Sequence, residues 1–557
     1  MRRIAVVLLV CLLIAALAPA GGTEEAVLAL VRVRAASADQ AAFLLTHFDE
    51  THNHHDGFVE LLLWPGDEER LRAAGFDYEV VVEDVLARDI AAASAPSRAV
   101  PMPGPDRKDY RRLSAYVSEM KKLARKHPSF VRVMKLEHKT LEGRNVLGLE
   151  IAARVRRNDG RPTFYVDGVH HAREWPAAEY PMIFAHYLAE GFGRDRDITS
   201  LLERLRVVIV PVVNVDGFDY SRESLADPDG LGAYPLAVAG LEAYWRKNRR
   251  SPSGATVPQA QKNPDAYGVD PNRNYSYVWG DDGGGSSGIH VDQTYRGDAP
   301  FSEPETRSVR KLVLGRHVTG VITNHTYGNL VLRPWGHTVK DAPDERILAP
   351  LGARLARTMG GYTNQKGIGL YATTGTTDDW AYAAVSALGY TLEHGTAFHP
   401  PYGASVGKSF KGVLRAYMIM ARTAADPDLH SVISGRVVDR RGRSVGARLF
   451  LTKRFRTPLG RGNPTGERFI VEKLATAMRA GRNGNFGWHV NPSTRPIASS
   501  KGGRESYTLT LVSRAGCRTL HVKVDRGERL NLGPIRLSDV CRGSLGKVVE
   551  GDPLPLP

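Results

Sequence analysis

Short apolar runs alternate with amphipathic stretches through most of this chain, and that alternation predicts its elements. Residues 163–166 form an apolar run of buried-strand length, followed by a tight turn through 168–175 and an apolar-rich helical segment ending at Leu188. Residues 319–325 and 388–393 are two more apolar strands, and 131–134 and 146–151 are strands joined through a turn at Glu142, Gly143 and Arg144. Residues 110–124 carry the spacing of an amphipathic helix. Strands and helices keep alternating from 108 to 426, which predicts an α/β domain with a mixed sheet and helices on both faces. Ahead of it, residues 24–92 read as a small α+β unit with a βαββ-like order. Residues 93–107, rich in Ala, Ser and Pro with no apolar period, read as a linker in which Arg98 offers a trypsin-like cleavage point. From 430 to 544 short strands separated by Gly, Asp and Asn turns predict a β-sandwich, with a long loop over 454–466 and a tail at 545–557.

The chain's first residues add a destination. Arg2 and Arg3 precede an apolar run to Leu17, and Ala18, Pro19 and Ala20 form a small-residue cleavage site, so residues 1–20 read as a secretory signal peptide and the mature protein as secreted. No later segment is long and apolar enough to span a bilayer. Without the signal only Cys517 and Cys541 remain, a pair open to bridging in an exported protein or to standing as two thiols.

Charge is uneven. The whole chain carries 75 Lys+Arg against 60 Asp+Glu; from His430 onward the counts are 24 and 9, so the excess of basic residues belongs to the C-terminal region. This is read as an Arg-rich solubilising surface or as adhesion to an anionic polymer; no nucleic-acid motif accompanies it. His52, His54 and His55 fall in a connection with Asn and Asp and are expected in an exposed polar loop.

The candidate chemistry lies at three predicted strand ends. His171 and Glu174 are three residues apart on the turn after the first strand, where they can reach one metal ion together. His325 ends the second strand and Glu393 the third. Open α/β sheets bind ligands at the C-terminal ends of strands. Two His and one carboxylate fit a zinc ion with a coordination position left open, as catalysis requires, beside a second carboxylate.

Several motifs in a fixed order give the region 108–426 its resemblance. Gly168 to Trp175, Asn324 to Tyr327, Tyr390 to Glu393, Tyr244 to Arg249 and Gly268 to Asn274 together resemble the zinc carboxypeptidases of the funnelin, carboxypeptidase A/B-like family. Carboxypeptidase A is itself the standard example of a two-His, one-Glu catalytic zinc site. The resemblance implies one Zn²⁺ per chain on His171, Glu174 and His325, Glu393 as general base, and Arg246 as the cation facing the oxyanion. It implies Asn272 and Arg273 as the grip on a substrate's terminal carboxylate, Arg173 as a further substrate contact, and Tyr371 as a mobile lid. Asp378, seven residues after Tyr371, falls at the floor of the pocket for the C-terminal side chain, where a carboxylate favours Lys or Arg. The 24–92 unit resembles the family's pro-domains, and the tail region its transthyretin-like domains. There are departures: Val215 replaces a Pro in the turn at Asn214 to Gly217, and Ala243 stands where some members have an Arg.

The implied partners are the C-termini of peptides or proteins. Three functions stay open: a secreted metallocarboxypeptidase, a zinc peptidase acting on cell-wall or isopeptide-linked peptides, and a non-catalytic binding protein on the same scaffold.

Overall fold

The computed structural model describes residues 27–55, 57–93, 99–223, 240–251, 268–490 and 505–538. The predicted signal peptide, Arg98, Cys541 and the tail lie outside these residues. Cys517 is disulfide-bonded.

The N-terminal unit has four strands, β1 (Ala29–Arg34), β2 (Asp49–His55), β3 (Phe58–Leu63) and β4 (Tyr78–Val82), in one sheet of order β2-β3-β1-β4. With helices Ala38–His47 and Asp67–Ala73 between them, this is a split βαβ arrangement. The helix at Ala38 starts where it does because the Ser37 side chain accepts from the Gln40 amide. The expected His-bearing loop is instead strand β2, and His52 is buried against the next domain rather than exposed. Polar residues can form a strand there because β2 pairs with β3 on one edge and its Asp49 and His52 find partners in the next domain.

Of the segment expected to be a linker, residues 99–107 are seated. Val100 bridges to Arg107, Met102 is buried, and the Gly104 amide donates to Glu190.

The next domain is built on eight strands: β5 (Val131–Lys139), β6 (Asn145–Ile151), β7 (Thr163–Gly168), β8 (Arg206–Val210), β9 (Val318–His325), β10 (Leu330–Arg333), β11 (Thr363–Lys366) and β12 (Leu388–Glu393). Their order is β11-β10-β12-β9-β7-β8-β6-β5, and the central run β12-β9-β7-β8 is parallel. Every residue of β7, β8, β9 and β12 is buried, as continuous apolar strands require when both faces are covered. Two glycines show the two faces. A Cβ at Gly320 would meet Ala424 of helix Val406–Ala425 at 2.9 Å, whereas Gly389, paired with the neighbouring Val321, faces the carbonyl of Asp378 on helix Thr377–Val385. Successive strand positions point to opposite faces, so these two helices sandwich the sheet.

The described residues of the C-terminal domain form a sandwich of seven strands: β13 (Ser431–Val438), β14 (Arg448–Pro458), β15 (Phe469–Arg479), β16 (Asn485–Val490), β17 (Glu505–Ser513), β18 (Gly516–Val524) and β19 (Arg529–Arg536). One sheet is β16-β13-β19 and the other β15-β14-β17-β18. The predicted loop over 454–466 begins five residues later than expected, because β14 runs on to Pro458 with Phe455 and Thr457 turned inward. That alternation was hidden by the Arg residues on the other face.

Candidate active site

Three adjacent parallel strands bring the chemistry together. In register, Glu393 lies beside His325, and Asn324 beside Gly168, so β12, β9 and β7 end level with one another. The chain leaves β7 through Val169, whose φ of 52° is unusual for a β-branched residue and turns the backbone sharply. Asn214 secures this turn by donating its backbone amide to the Val169 carbonyl at 3.0 Å and its side-chain amide to the carbonyls of His170 and Lys247. The Val215 turn therefore works without the Pro, since the Asn214 side chain also accepts from the Gly217 amide.

His171, Glu174 and His325 form the one group of three metal-ligating side chains found together among the described residues, with their ligand atoms within 4.8 Å of one another. Nδ1 of His171 lies 2.6 Å from one Glu174 oxygen and Nδ1 of His325 lies 2.9 Å from the other. That second oxygen is buried, and apart from this approach by His325 it has no hydrogen-bond donor. Burial would raise the Glu174 pKa, but His171 and His325 hold it well below the usual carboxylate range. Two ring nitrogens converging on a buried, incompletely satisfied carboxylate fit a zinc ion.

The outer contacts of these ligands are also present. Asp270 takes the other nitrogen of His171 at 3.1 Å and the Arg246 guanidinium at 2.9 and 3.2 Å. One carboxylate thus orients a metal ligand and the cation beside it. Sequence reasoning assigned no role to Asp270; the signal was there, since a ligating His needs an outer acceptor and Asp270 sits two residues before Asn272.

Glu393 is buried, and one of its oxygens has no hydrogen-bond partner. Burial pushes its pKa up to about 8; Glu174 and Glu50 push the same way, against His52 and Arg246. His52 Nδ1 stands 3.9 Å from Glu393 and donates to the Tyr327 carbonyl at 2.7 Å.

Asn272 and Arg273 occupy a short 3₁₀ turn started by the Asp270 side chain, which accepts from the Asn272 amide. Gly375 packs on this turn so closely that a Cβ there would be 2.4 Å from the Arg273 carbonyl. The Thr377 amide and hydroxyl both donate to the Asn272 side-chain oxygen, each at 3.0 Å. Tyr371 is swung in, its hydroxyl 3.4 Å from Arg273 and 3.3 Å from His52. Asp378 is buried one residue into helix Thr377–Val385; burial, then the charge of Asp379, pushes its pKa to about 7. Arg173 is held by Asp49 and lies over the Phe398 ring at 4.1 Å. His170, next to the first ligand, is buried on Tyr275 and Thr377 at 2.9 Å each.

The structure brings together His171, Glu174, His325, Glu393, Arg246, Asn272, Arg273 and Tyr371. Arg173 stands apart on Asp49 and Phe398, and Asp378 is buried in its own helix. Asp49, Glu50 and His52 of the N-terminal unit, to which the sequence assigned no role in the site, reach it as well. The sequence could not join Asp49 and His52 to the site, because their catalytic-domain partners, Arg173 and Tyr327, are more than 100 residues away.

Comparison with known proteins agrees with this geometry. The family described as zinc carboxypeptidase matches residues 116–404, just over half of the chain. Carboxypeptidase A1 of Rattus norvegicus is 27% identical over 330 residues, 57% of this chain and 71% of the relative. Mast cell carboxypeptidase A of the same species is 30% identical over 277 residues, 48% of this chain and 59% of the relative. The crystal structure of carboxypeptidase A from Helicoverpa armigera superposes with a TM-score of 0.57 at 22% identity, covering 72% of this chain and 97% of that one, which shows the shared fold. With a matching family model, a shared fold and a two-His, one-Glu site at three strand ends, the chain belongs to the zinc carboxypeptidase family and is a zinc-dependent metallocarboxypeptidase.

Proposed function

We propose that this enzyme removes single residues from the C-termini of peptides after secretion, and that its N-terminal unit keeps it latent. The observation that carries the reading is the spacing of two functions in one cleft. A metal-ligand set with Glu393 beside it stands next to Asn272 and Arg273, which suit a free carboxylate.

Zinc, when held by His171, Glu174 and His325, supplies Lewis acidity toward a carbonyl and a water molecule. Glu393 takes the water's proton and delivers it to the leaving amine, a role suited to a carboxyl raised toward neutral pH. Arg246, fixed by Asp270, presents its guanidinium to the developing oxyanion without having to reorganise. Asn272 and Arg273 hold the terminal carboxylate, Arg173 contacts the chain on the other side of the scissile bond, and Tyr371 closes over both. Asp378 sits at the floor of the side-chain pocket and favours Lys or Arg there.

Latency is supported by what fills the cleft. Asp49 pairs with Arg173, and His52 approaches Glu393 while contacting Tyr371. The basic sandwich adds a surface suited to an anionic polymer.

The test is hydrolysis of blocked dipeptides ending in Arg, Lys, Phe or Leu, with and without a chelator, before and after limited trypsin treatment. Purified peptidoglycan peptides run in parallel cover the alternative substrate. A protein that stays inactive toward every dipeptide after trypsin, while keeping its zinc, does not have this function.

A further inference from the structure

We propose that the C-terminal β-sandwich is a working part of the active site: its Glu472 and Arg526 hold the helix Thr377–Val385, and through it the residues that grip the end of the substrate. The inference rests on the roles given above to Asn272, Arg273 and Asp378.

Glu472 lies on β15 of the sandwich and is fully buried. One oxygen accepts from Ser276 at 2.8 Å, Trp380 Nε1 at 3.1 Å and Thr457 at 2.8 Å; the other accepts from Arg310 Nε at 3.0 Å. Three of these four donors belong to the catalytic domain. Ser276 follows Arg273 by three residues, and Trp380 follows Asp378 by two. A carboxylate from one domain therefore ties together the two segments that form the candidate grip and the pocket floor.

The contacts continue inward. The Trp380 ring packs on Tyr275, with centroids 5.4 Å apart. The Tyr275 hydroxyl is 2.9 Å from His170 Nε2, and the same nitrogen is 2.9 Å from the Thr377 hydroxyl. Thr377 donates twice to the Asn272 oxygen, which turns Asn272 Nδ2 toward the metal-ligand set, 3.5 Å from His325 Nε2, with a hydrogen left to offer a carboxylate.

The far end of the helix is held from the same domain. Arg526, in the turn between β18 and β19, donates to the Ser386 carbonyl at 3.1 Å and to Asp344 at 2.9 Å. Tyr382, on the helix, donates to the same Asp344 oxygen at 2.9 Å. A cation at a helix C-terminus is favourable in itself, and here it also fixes that end of the helix. Close backbone packing adds to the tie: the Gly460 amide donates to the Trp279 carbonyl at 2.9 Å, and a Cβ at Gly460 would be 2.1 Å from the Asp281 nitrogen. Glu472 and Arg526 are thus positioning residues, acting through the helix and the 273–281 segment without touching substrate.

The experiment uses the full chain, with and without limited proteolysis of the N-terminal unit, and the variants Glu472→Gln, Ser276→Ala and Arg526→Gln. Two inhibitors are compared. Free L-arginine or L-phenylalanine needs the carboxylate grip; acetohydroxamate binds zinc without it. We expect KM for blocked dipeptides and Ki for the amino acid to rise roughly tenfold while Ki for acetohydroxamate and zinc content stay within about twofold. If Glu472→Gln does not fold, the other two variants read the same quantities. Folded variants in which both inhibitors weaken alike, or neither does, overturn the proposal. Asn272→Ala is the control: if it leaves amino-acid affinity unchanged, the grip itself is misassigned; if it weakens that affinity and the three variants do not, the sandwich has no positioning role.

Discussion

Asp49 and Arg173 face each other across the boundary between the N-terminal unit and the catalytic domain, joined by two hydrogen bonds of 2.5 and 2.7 Å with both side chains buried. Trp64 Nε1 donates to the same Asp49 carboxylate at 2.7 Å. A buried ion pair broken on one side leaves an unpaired charge, at a cost of roughly 3–5 kcal/mol. Asp49→Ala should therefore loosen the N-terminal unit, raising turnover of the full chain on blocked dipeptides and speeding its cleavage by trypsin. Equal turnover of the full chain and of a protein starting near Pro105 would mean the unit is a folding aid or accessory domain.

Glu393→Gln should lower turnover by about 10²–10⁴-fold, the range for losing a general base, while zinc stays near one per chain. The metal's affinity comes from His171, Glu174 and His325, and Glu393 stands outside that set. Metal analysis and kcat on the same preparation check both halves; an active mutant removes Glu393 from the role.

Specificity should follow the charge of Asp378. Burial and Asp379 raise its pKa to about 7, so the carboxylate that attracts Lys or Arg is present above that pH and lost below it. The ratio of kcat/KM for dipeptides ending in Arg and in Phe should climb from pH 6 to pH 8. Asp378→Ile should flatten that climb and move the ratio toward Phe. A wild type that prefers Phe at pH 8 would falsify the assignment.

The sandwich and the catalytic domain should part in acid. His430 and His489 touch at 2.7 Å, and Trp488 Nε1 donates to His317 across the boundary at 2.7 Å. Burial lowers the pKa of His430 to about 3 and of His489 to about 4, and holds His317 well below its ordinary value. An unfolded His titrates near pH 6.5. The unfolded chain thus binds more protons below that pH, so the stability from these neutral rings is complete above about pH 6.5 and falls as the pH drops toward 4. Thermal unfolding from pH 8 to pH 4 should show the decline, and His489→Gln should make it shallower. A melting temperature that is flat across this range in the wild type counts against the interface histidines.

Much of the site was legible before any tertiary contact was known. Strands 163–168, 318–325 and 388–393 were marked by apolar runs too short for helices, and their final residues, with the turn after the first, carried the His and Glu side chains. Such features are local: burial on both faces forces a continuous apolar run, and the side chains that follow must sit at the sheet's edge. The resemblance to the family's motifs pointed to Arg246, Asn272, Arg273 and Tyr371 in the same way, as short patterns that travel with their spacing. What the tertiary structure alone decided was which distant polar groups meet. A polar strand such as β2 has no apolar period to announce it, and it forms because the cleft supplies partners for Asp49 and His52. Glu472 carries no signal in the sequence, yet it is buried because Ser276, Trp380 and Arg310 converge on it. Hydrophobic periodicity records how much of a residue is buried against its own neighbours, whereas the pairing of buried charges is settled only when domains close on one another.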